Sequence, residues 1–124
     1  MIQEDKELLL RDLCVRLPYG VKIQVPYEDG SGYFDETVWE VNNEGPFYVN
    51  GWGIEYEYVK PYLFPLSSMT EEQKKEYQYI TERWMYDSSY SISDSTDWLN
   101  KNHFDYRGLI KKGLAIDATG LNIY

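Results

Sequence analysis

The sequence holds one cysteine, Cys14, and one histidine, His103. A lone cysteine closes no intramolecular disulfide. No glycine-rich loop followed by lysine occurs, so nucleotide binding has no support. The serines sit in no nucleophile motif. No apolar run has membrane-crossing length and no cleavable apolar leader is visible, so we expect a soluble, cytoplasmic protein of a reducing compartment with no membrane partner. Bases are scarce as well: 12 Lys and Arg stand against 21 Asp and Glu, for a net charge of −9. That balance argues against direct binding of nucleic acid, whose phosphates call for the opposite sign.

What the chain has in excess is aromatic. Of its 124 residues 43% are hydrophobic and 17% aromatic, with 13 Tyr, enough to fold and unlike a disordered acidic segment. The length fits a single domain over residues 1–124. Tyrosine suits surfaces that are half buried or bind something, because the ring packs while the hydroxyl stays wet. A small core filled with Tyr in place of Leu and Phe is the competing explanation. The acids are unevenly placed: residues 18–66 carry 8 acids and 2 bases, whereas residues 94–124 carry 4 of each.

Along residues 5–17, Leu9, Leu10, Leu13, Cys14 and Leu17 fall on one helical stripe, with Asp5 as N-cap and Pro18 as the stop. Cys14 is then an inert core thiol. Val21, Ile23, Val25 and Tyr27 alternate with polar residues or proline in a first strand. Tyr33–Asn42 reads as a second, Phe47–Asn50 as a third, and Ile54–Val59 as a fourth, in which Ile54, Tyr56 and Tyr58 oppose Glu55 and Glu57. Pro61 and Pro65 make Lys60–Leu66 a stiff, non-helical strap. Thr70-Glu71-Glu72-Gln73 has capping-box spacing and opens a second helix running to about Tyr86, with Tyr77, Ile80 and Trp84 inward. Residues 87–93 read as a polar loop or ragged edge strand. Asp94 or Ser95 caps a third helix that ends near His103-Phe104. Glycines at 108, 113 and 120 break the remainder into turns and short extended pieces, anchored by Trp98, Leu99, Phe104 and Leu109. The expected fold class is α+β: a small antiparallel sheet of about four strands, SH3-like or half-barrel, with an N-terminal helix and two helices after the sheet.

The stretches DLCVRLPYGVKIQV, YVKPYLFPLSSMTEEQKKEY and DWLNKNHFDYRGLIKKGLAIDATGLNIY resemble a family of small uncharacterised proteins of gut Bacteroides-type genomes, often carried on prophage or other mobile DNA. The three pieces cover about half of the chain. The resemblance implies a bacterial or phage intracellular protein and transfers no catalytic residue.

Chemistry has few candidates. His103 as a general base would pair with Asp105 or Asp97, against the plainer role of a helix-end histidine with a local hydrogen bond. Asp35-Glu36, Glu55/Glu57 and Glu71-Glu72 could serve a glycosidase or a hard cation, yet adjacent acids are common on solvated faces, and Glu71 and Glu72 fit the helix dipole. Asp29-Gly30-Ser31-Gly32 is too short for an EF-hand loop. The expectation is therefore no catalytic residue, no metal and no cofactor. Two functional classes follow. The first is a non-enzymatic protein-interaction module acting through an acidic aromatic face at Trp39, Glu40, Tyr48, Trp52, Glu55 and Glu57, with nucleic-acid mimicry as a special case and another protein as the partner. The second is a small enzyme or carbohydrate binder that stacks its ligand on Tyr and Trp and needs a concave pocket.

Overall fold

The structure is a computed structural model that describes residues 1–42, 45–48, 52–83, 85 and 92–124, without the side chains of residues 47, 48, 52 and 92. Helix α1, Gln3–Arg16, begins after Ile2, so Asp5 lies in its first turn and is not the N-cap. Its inward stripe is Leu9, Asp12, Leu13 and Arg16, all buried, an i, i+3, i+4, i+7 pattern turned about one residue from the all-apolar stripe expected. Cys14 is consequently exposed, which corrects its placement as a core thiol. The stripe could turn because Asp12 and Arg16 neutralise each other inside. A 3₁₀ turn, Leu17–Tyr19, follows at Pro18, and Gly20 at φ 70° closes it by donating its amide to the Leu17 carbonyl. That left-handed geometry suits glycine.

Strands β1, Lys22–Pro26, and β2, Tyr33–Val41, pair antiparallel with Ile23 opposite Glu36. Val21, Ile23 and Val25 are buried, and Tyr27, beyond the strand, is 48% exposed. β3, Pro46–Tyr48, and β4, Trp52–Gly53, extend the sheet from the other edge of β2. The amide of Ile54 donates to the Pro46 carbonyl, and a Cβ at Gly45 would stand 1.7 Å from the Ile54 carbonyl oxygen. Only glycine permits that approach.

One expectation fails in the next segment. Ile54–Val59 is not a strand: Tyr56–Tyr58 is a 3₁₀ turn, with Tyr56 buried and Tyr58 exposed, so the alternation of Tyr and Glu did not mark a sheet face. The strand is instead β5, Lys60–Pro65, the stretch expected as a stiff, non-helical strap, which is extended and in addition pairs. Its prolines fall at its second and last positions, and the interior supplies the pairing groups: the Phe64 amide donates to the His103 carbonyl, and Leu63 accepts from the Ala118 amide. Proline is tolerated in a strand where its missing N–H is not called for. β5 pairs antiparallel with β1 and parallel with β6, Phe104–Asp105, and β7, Ile116–Asp117. The sheet is therefore mixed, in the order β4-β3-β2-β1-β5-β6 with β7 also on β5.

Beyond a 3₁₀ turn at Leu66–Ser68, α2 spans Glu71–Arg83. Its capping box forms: Thr70 Oγ1 accepts from the Gln73 amide at 3.1 Å and Gln73 Oε1 from the Thr70 amide at 2.9 Å. Tyr77 and Ile80 pack inward as expected, while Trp84 lies outside the described residues. α3, Ile92–Lys101, starts earlier than Asp94 or Ser95, which sit inside its first turns and not at a cap. Of residues 87–93, expected as loop or edge strand, 87–91 lie outside the described residues, as does the expected helix end at Tyr86, and Ile92 and Ser93 are helical.

Alternation along β5 sends consecutive side chains to opposite faces of the sheet. Leu63 joins a mainly aliphatic core with Leu9, Leu13, Val21, Ile23 and Leu109. Phe64 joins an aromatic cluster around Trp98, Leu99 and Phe104. The four anchors expected in the C-terminal segment, Trp98, Leu99, Phe104 and Leu109, are thus all buried, in both clusters.

Candidate functional site

The six residues of the expected interaction face fall into three places. Trp39 and Glu40 lie where the β2–β3 register slips between Val38 and Glu40, a β-bulge that gives the strand an extra residue. Trp39 is 56% exposed and Glu40 is exposed. Tyr48 and Trp52 stand opposite each other in the β3–β4 ladder, with Val38 opposite Tyr48, and their side chains lie outside the described residues. Glu55 precedes the 3₁₀ turn, Glu57 lies inside it, and both line an open cleft of about 570 Å³ together with Met1, Lys6 and Tyr56. The structure thus pairs Trp39 with Glu40 and Glu55 with Glu57.

The cleft is acidic and aromatic at its rim. The Tyr58 hydroxyl is hydrogen-bonded to Glu57, whose carboxylate raises the phenol above its ordinary range. Burial raises that of Tyr56 further, and its hydroxyl donates to the Asn42 carbonyl at 2.6 Å. Lys6 and the Met1 amine are the lining bases of this cleft, the latter 4.0 Å from Glu57 Oε2. Glu55 and Glu57 present their carboxylates beside a half-open aromatic surface.

A group of buried charged side chains, which no sequence motif indicated, links α1 to β6. Arg16 donates through Nε to Asp12 Oδ2 at 2.8 Å and through Nη2 to the Phe104 carbonyl at 2.6 Å, and both side chains are fully buried. Arg107 approaches Asp12 Oδ1 at 3.3 Å out of hydrogen-bonding alignment. Burial pushes the Asp12 carboxyl up against the pull of Arg16 and Arg107. Both guanidinium groups stack over Tyr106, whose hydroxyl donates to Asn100. The signal available in the sequence was the i, i+4 spacing of Asp12 and Arg16, which ordinarily marks a solvated pair.

His103 does not meet a carboxylate. It takes φ 62° just beyond α3, the left-handed exit conformation, and its ring stacks on Tyr124 at 3.6 Å with planes 9° apart. Its Nδ1 is buried and makes no hydrogen bond among the described residues, so the local bond expected of a helix-end histidine is not made there. Burial, with Arg16 and Lys22 nearby, lowers its pKa to about 4. Asp105 instead accepts from the amides of Leu109 and Ile110, both at 2.9 Å, fixing the turn after β6. Tyr62, buried in β5, donates to Asp35 and accepts from Gln24, and burial pushes its phenol up to about 12. Asp35 is thereby a structural acceptor as well as a surface acid.

Among the described residues no group of three His, Cys, Asp or Glu could hold a metal ion. Among the described residues no helix is long and apolar enough to cross a membrane. No protein-family model, no curated protein and no solved structure matches this chain.

Proposed function

We propose that the protein is a non-enzymatic intracellular interaction module that meets a basic protein surface through the acidic, aromatic β region, as an accessory of a phage or mobile element. The observation that carries this is the coincidence of exposed rings with the acidic block: Tyr27, Tyr33, Trp39 and Tyr58 are 48%, 64%, 56% and 56% exposed, all within residues 18–66, where acids outnumber bases 8 to 2. Large rings at an interface bury area with little loss of rotamer freedom, and surrounding charge steers and orders the encounter. Glu40, Glu55 and Glu57 supply that charge beside Trp39 and Tyr58. Placed at phosphate-like intervals, the same acids would mimic nucleic acid to a DNA-binding partner. The expected SH3-like half-barrel belongs to this reading, supported by the antiparallel run from β4 to β5 and by the bulge at Trp39, since bulges bend strands. The carbohydrate-binding or enzymatic alternative requires convergent polar groups in a concave pocket. The cleft beside Glu55 and Glu57 is open and offers two carboxylates and two amines, those of Lys6 and Met1.

The test is co-purification of the tagged protein from its native host, followed by kinetics with the partner so found. Association should slow with added salt, because exposed charges are screened over about 8 Å at physiological ionic strength. Reversing Glu40, Glu55 and Glu57 to Lys should slow it at least about tenfold while leaving the circular dichroism and melting temperature unchanged. Indifference to both salt and the triple reversal would place the binding surface elsewhere.

A further inference from the structure

The ladder between β1 and β5 stops one step early. Gln24 stands opposite Lys60 and Ile23 opposite Pro61, so Lys22 and Tyr62 come next. Between them stands the hydroxyl of Tyr124, which accepts from the Lys22 amide at 2.8 Å and donates to the Tyr62 carbonyl at 2.8 Å. A phenol oxygen thus replaces a backbone hydrogen bond and satisfies both strands. The ring lies flat on His103 and meets Phe64 at 6.0 Å with a 56° tilt. One residue earlier, the Ile123 carbonyl accepts from Lys22 Nζ at 3.0 Å. Strand edge, stacking platform and amine together make a slot cut for one side chain and the peptide carbonyl that precedes it.

Tyr124 occupies this slot on a light tether. Thr119, Gly120, Leu121 and Asn122 are exposed, and Gly120 and Asn122 hold φ of 78° and 54°. Left-handed backbone at a non-glycine residue carries a local cost. Tyr124 keeps 42% of its surface in water while its hydroxyl is held inside, where burial raises the phenol, so the slot has a buried floor and a mouth open to solvent. A segment with few buried contacts opens locally at a small fraction of the global unfolding free energy. Its opening leaves an unpaired Lys22 N–H, an unpaired Tyr62 carbonyl and a bare aromatic platform.

We propose that this slot is a binding site for an unmodified tyrosine side chain on an extended segment of a partner protein, with Tyr124 as its resident competitor. The chemistry selects the ligand. A phenylalanine would fill the stack and leave both strand groups without a partner, the kind of mismatch that discriminates strongly in a buried site. A phosphotyrosine has no proton to donate to the Tyr62 carbonyl and sets an anion against it. Lys22 Nζ receives the carbonyl of the residue before the tyrosine, as it now receives that of Ile123. The site lies on the β1–β5 seam and stands independently of the acidic residues at 40, 55 and 57.

The experiment vacates the slot with Tyr124→Ala and titrates the protein with N-acetyltyrosinamide and N-acetylphenylalaninamide at millimolar concentrations, followed by amide NMR. The tyrosine amide should give saturable shifts at Lys22, Tyr62 and His103 and raise the melting temperature, with the phenylalanine amide at least about tenfold weaker. The intact protein should respond to neither at the same concentrations. Equal response to both amides, or no response at those three residues in folded Tyr124→Ala, would overturn the proposal. Should Tyr124→Ala fail to fold, Tyr124→Phe serves: amide exchange at Lys22 should accelerate at least about tenfold with its neighbours unchanged. Unchanged exchange there would mean that the hydroxyl is not what the slot recognises, and would equally overturn it.

Discussion

The two clusters on opposite faces of β5 are built by different means. The aliphatic core takes whole stripes from consecutive elements: Leu9 and Leu13 from α1, and Val21, Ile23 and Val25 from the stretch that forms β1. The aromatic cluster takes one or two residues from each of many places, Phe64 from β5, Met69 from a turn, Tyr77 and Ile80 from α2, Trp98 and Leu99 from α3, and Phe104 from β6. Its cohesion is geometric: Trp98 stacks on Phe104 at 5.7 Å and Tyr77 tilts onto Trp98 at 5.5 Å. Periodic stripes can be read locally, whereas a cluster assembled from scattered rings exists only once the chain has folded. The seam between the two is polar, with Arg16 reaching from α1 to the Phe104 carbonyl.

The comparison breaks most severely if residues 94–124 are removed. That segment supplies Trp98, Leu99 and Phe104 to one cluster, Leu109, Leu114 and Ala115 to the other, and both parallel partners of β5. Each large buried side chain contributes about 2–5 kcal/mol against truncation, and a domain of this size holds about 5–15 kcal/mol in all. The shortened chain should show no cooperative melting transition by calorimetry. A retained transition would mean that the aliphatic core is autonomous.

Next in size is the seam. Arg16→Met strands Asp12 in the interior and leaves the Phe104 carbonyl without its donor, for an expected loss of about 3–5 kcal/mol in urea denaturation. Replacing both partners, Asp12→Leu with Arg16→Met, should recover much of it, because a buried ion pair and an apolar pair of similar volume differ little. If the double variant is no more stable than Arg16→Met, the pair does more than neutralise itself.

A smaller effect sits at His103, where α3 hands the chain to β6. Its pKa is about 4 when folded, held down by burial and then by Arg16 and Lys22, against an ordinary 6.5. The unfolded chain therefore binds the proton more readily between those values. Stability from this group is full above pH 6.5 and is lost as pH falls toward 4, an effect of at most about 3 kcal/mol. His103→Asn keeps a residue that tolerates the left-handed conformation and removes the titration. Its stability should vary less between pH 7 and pH 4 than that of the parent, and an unchanged pH profile would assign the acid sensitivity to the carboxylates.

Legibility followed the same division. The alternation of Val21, Ile23 and Val25 and the β-favouring run of β2 were readable, because one face of each strand is buried and the period is two. β5 was not, since its two prolines speak against a strand and only the partners at Ile23, His103 and Ala118 make one. β6 and β7 are two residues each, too short for any pattern. The opposite error, a strand at Ile54–Val59, arose because alternating Tyr and Glu fits a 3₁₀ turn with exposed acids equally well. At the candidate site Trp39, Glu40, Glu55 and Glu57 are exposed, while their separation into a bulge and a cleft depends on the register slip and on the 3₁₀ turn. The Tyr124 slot had no signal, because its partners come from residues 22, 62 and 103.

α1 and α2 sharpen the contrast at its finest scale. α1 has no side-chain cap and buries Leu9, Asp12, Leu13 and Arg16; α2 has a complete capping box and buries no residue among those described. Helix α1 is therefore held by packing, and α2 leans on the aromatic cluster through the partly buried Tyr77 and Ile80 alone. A short helix with so little burial depends on its local signals, because nucleation is unfavourable in isolation. Thr70→Ala removes the acceptor for the Gln73 amide, at about 1 kcal/mol. Since α2 buries so little, that loss should appear less in the global melt than in amide exchange confined to Glu71–Arg83, which should quicken about fivefold. Asp5→Ala in α1, which carries no cap bond, should change neither. If the two substitutions proved equivalent by exchange, the capping box would be an ornament of α2 and its stability would have to come from the cluster after all.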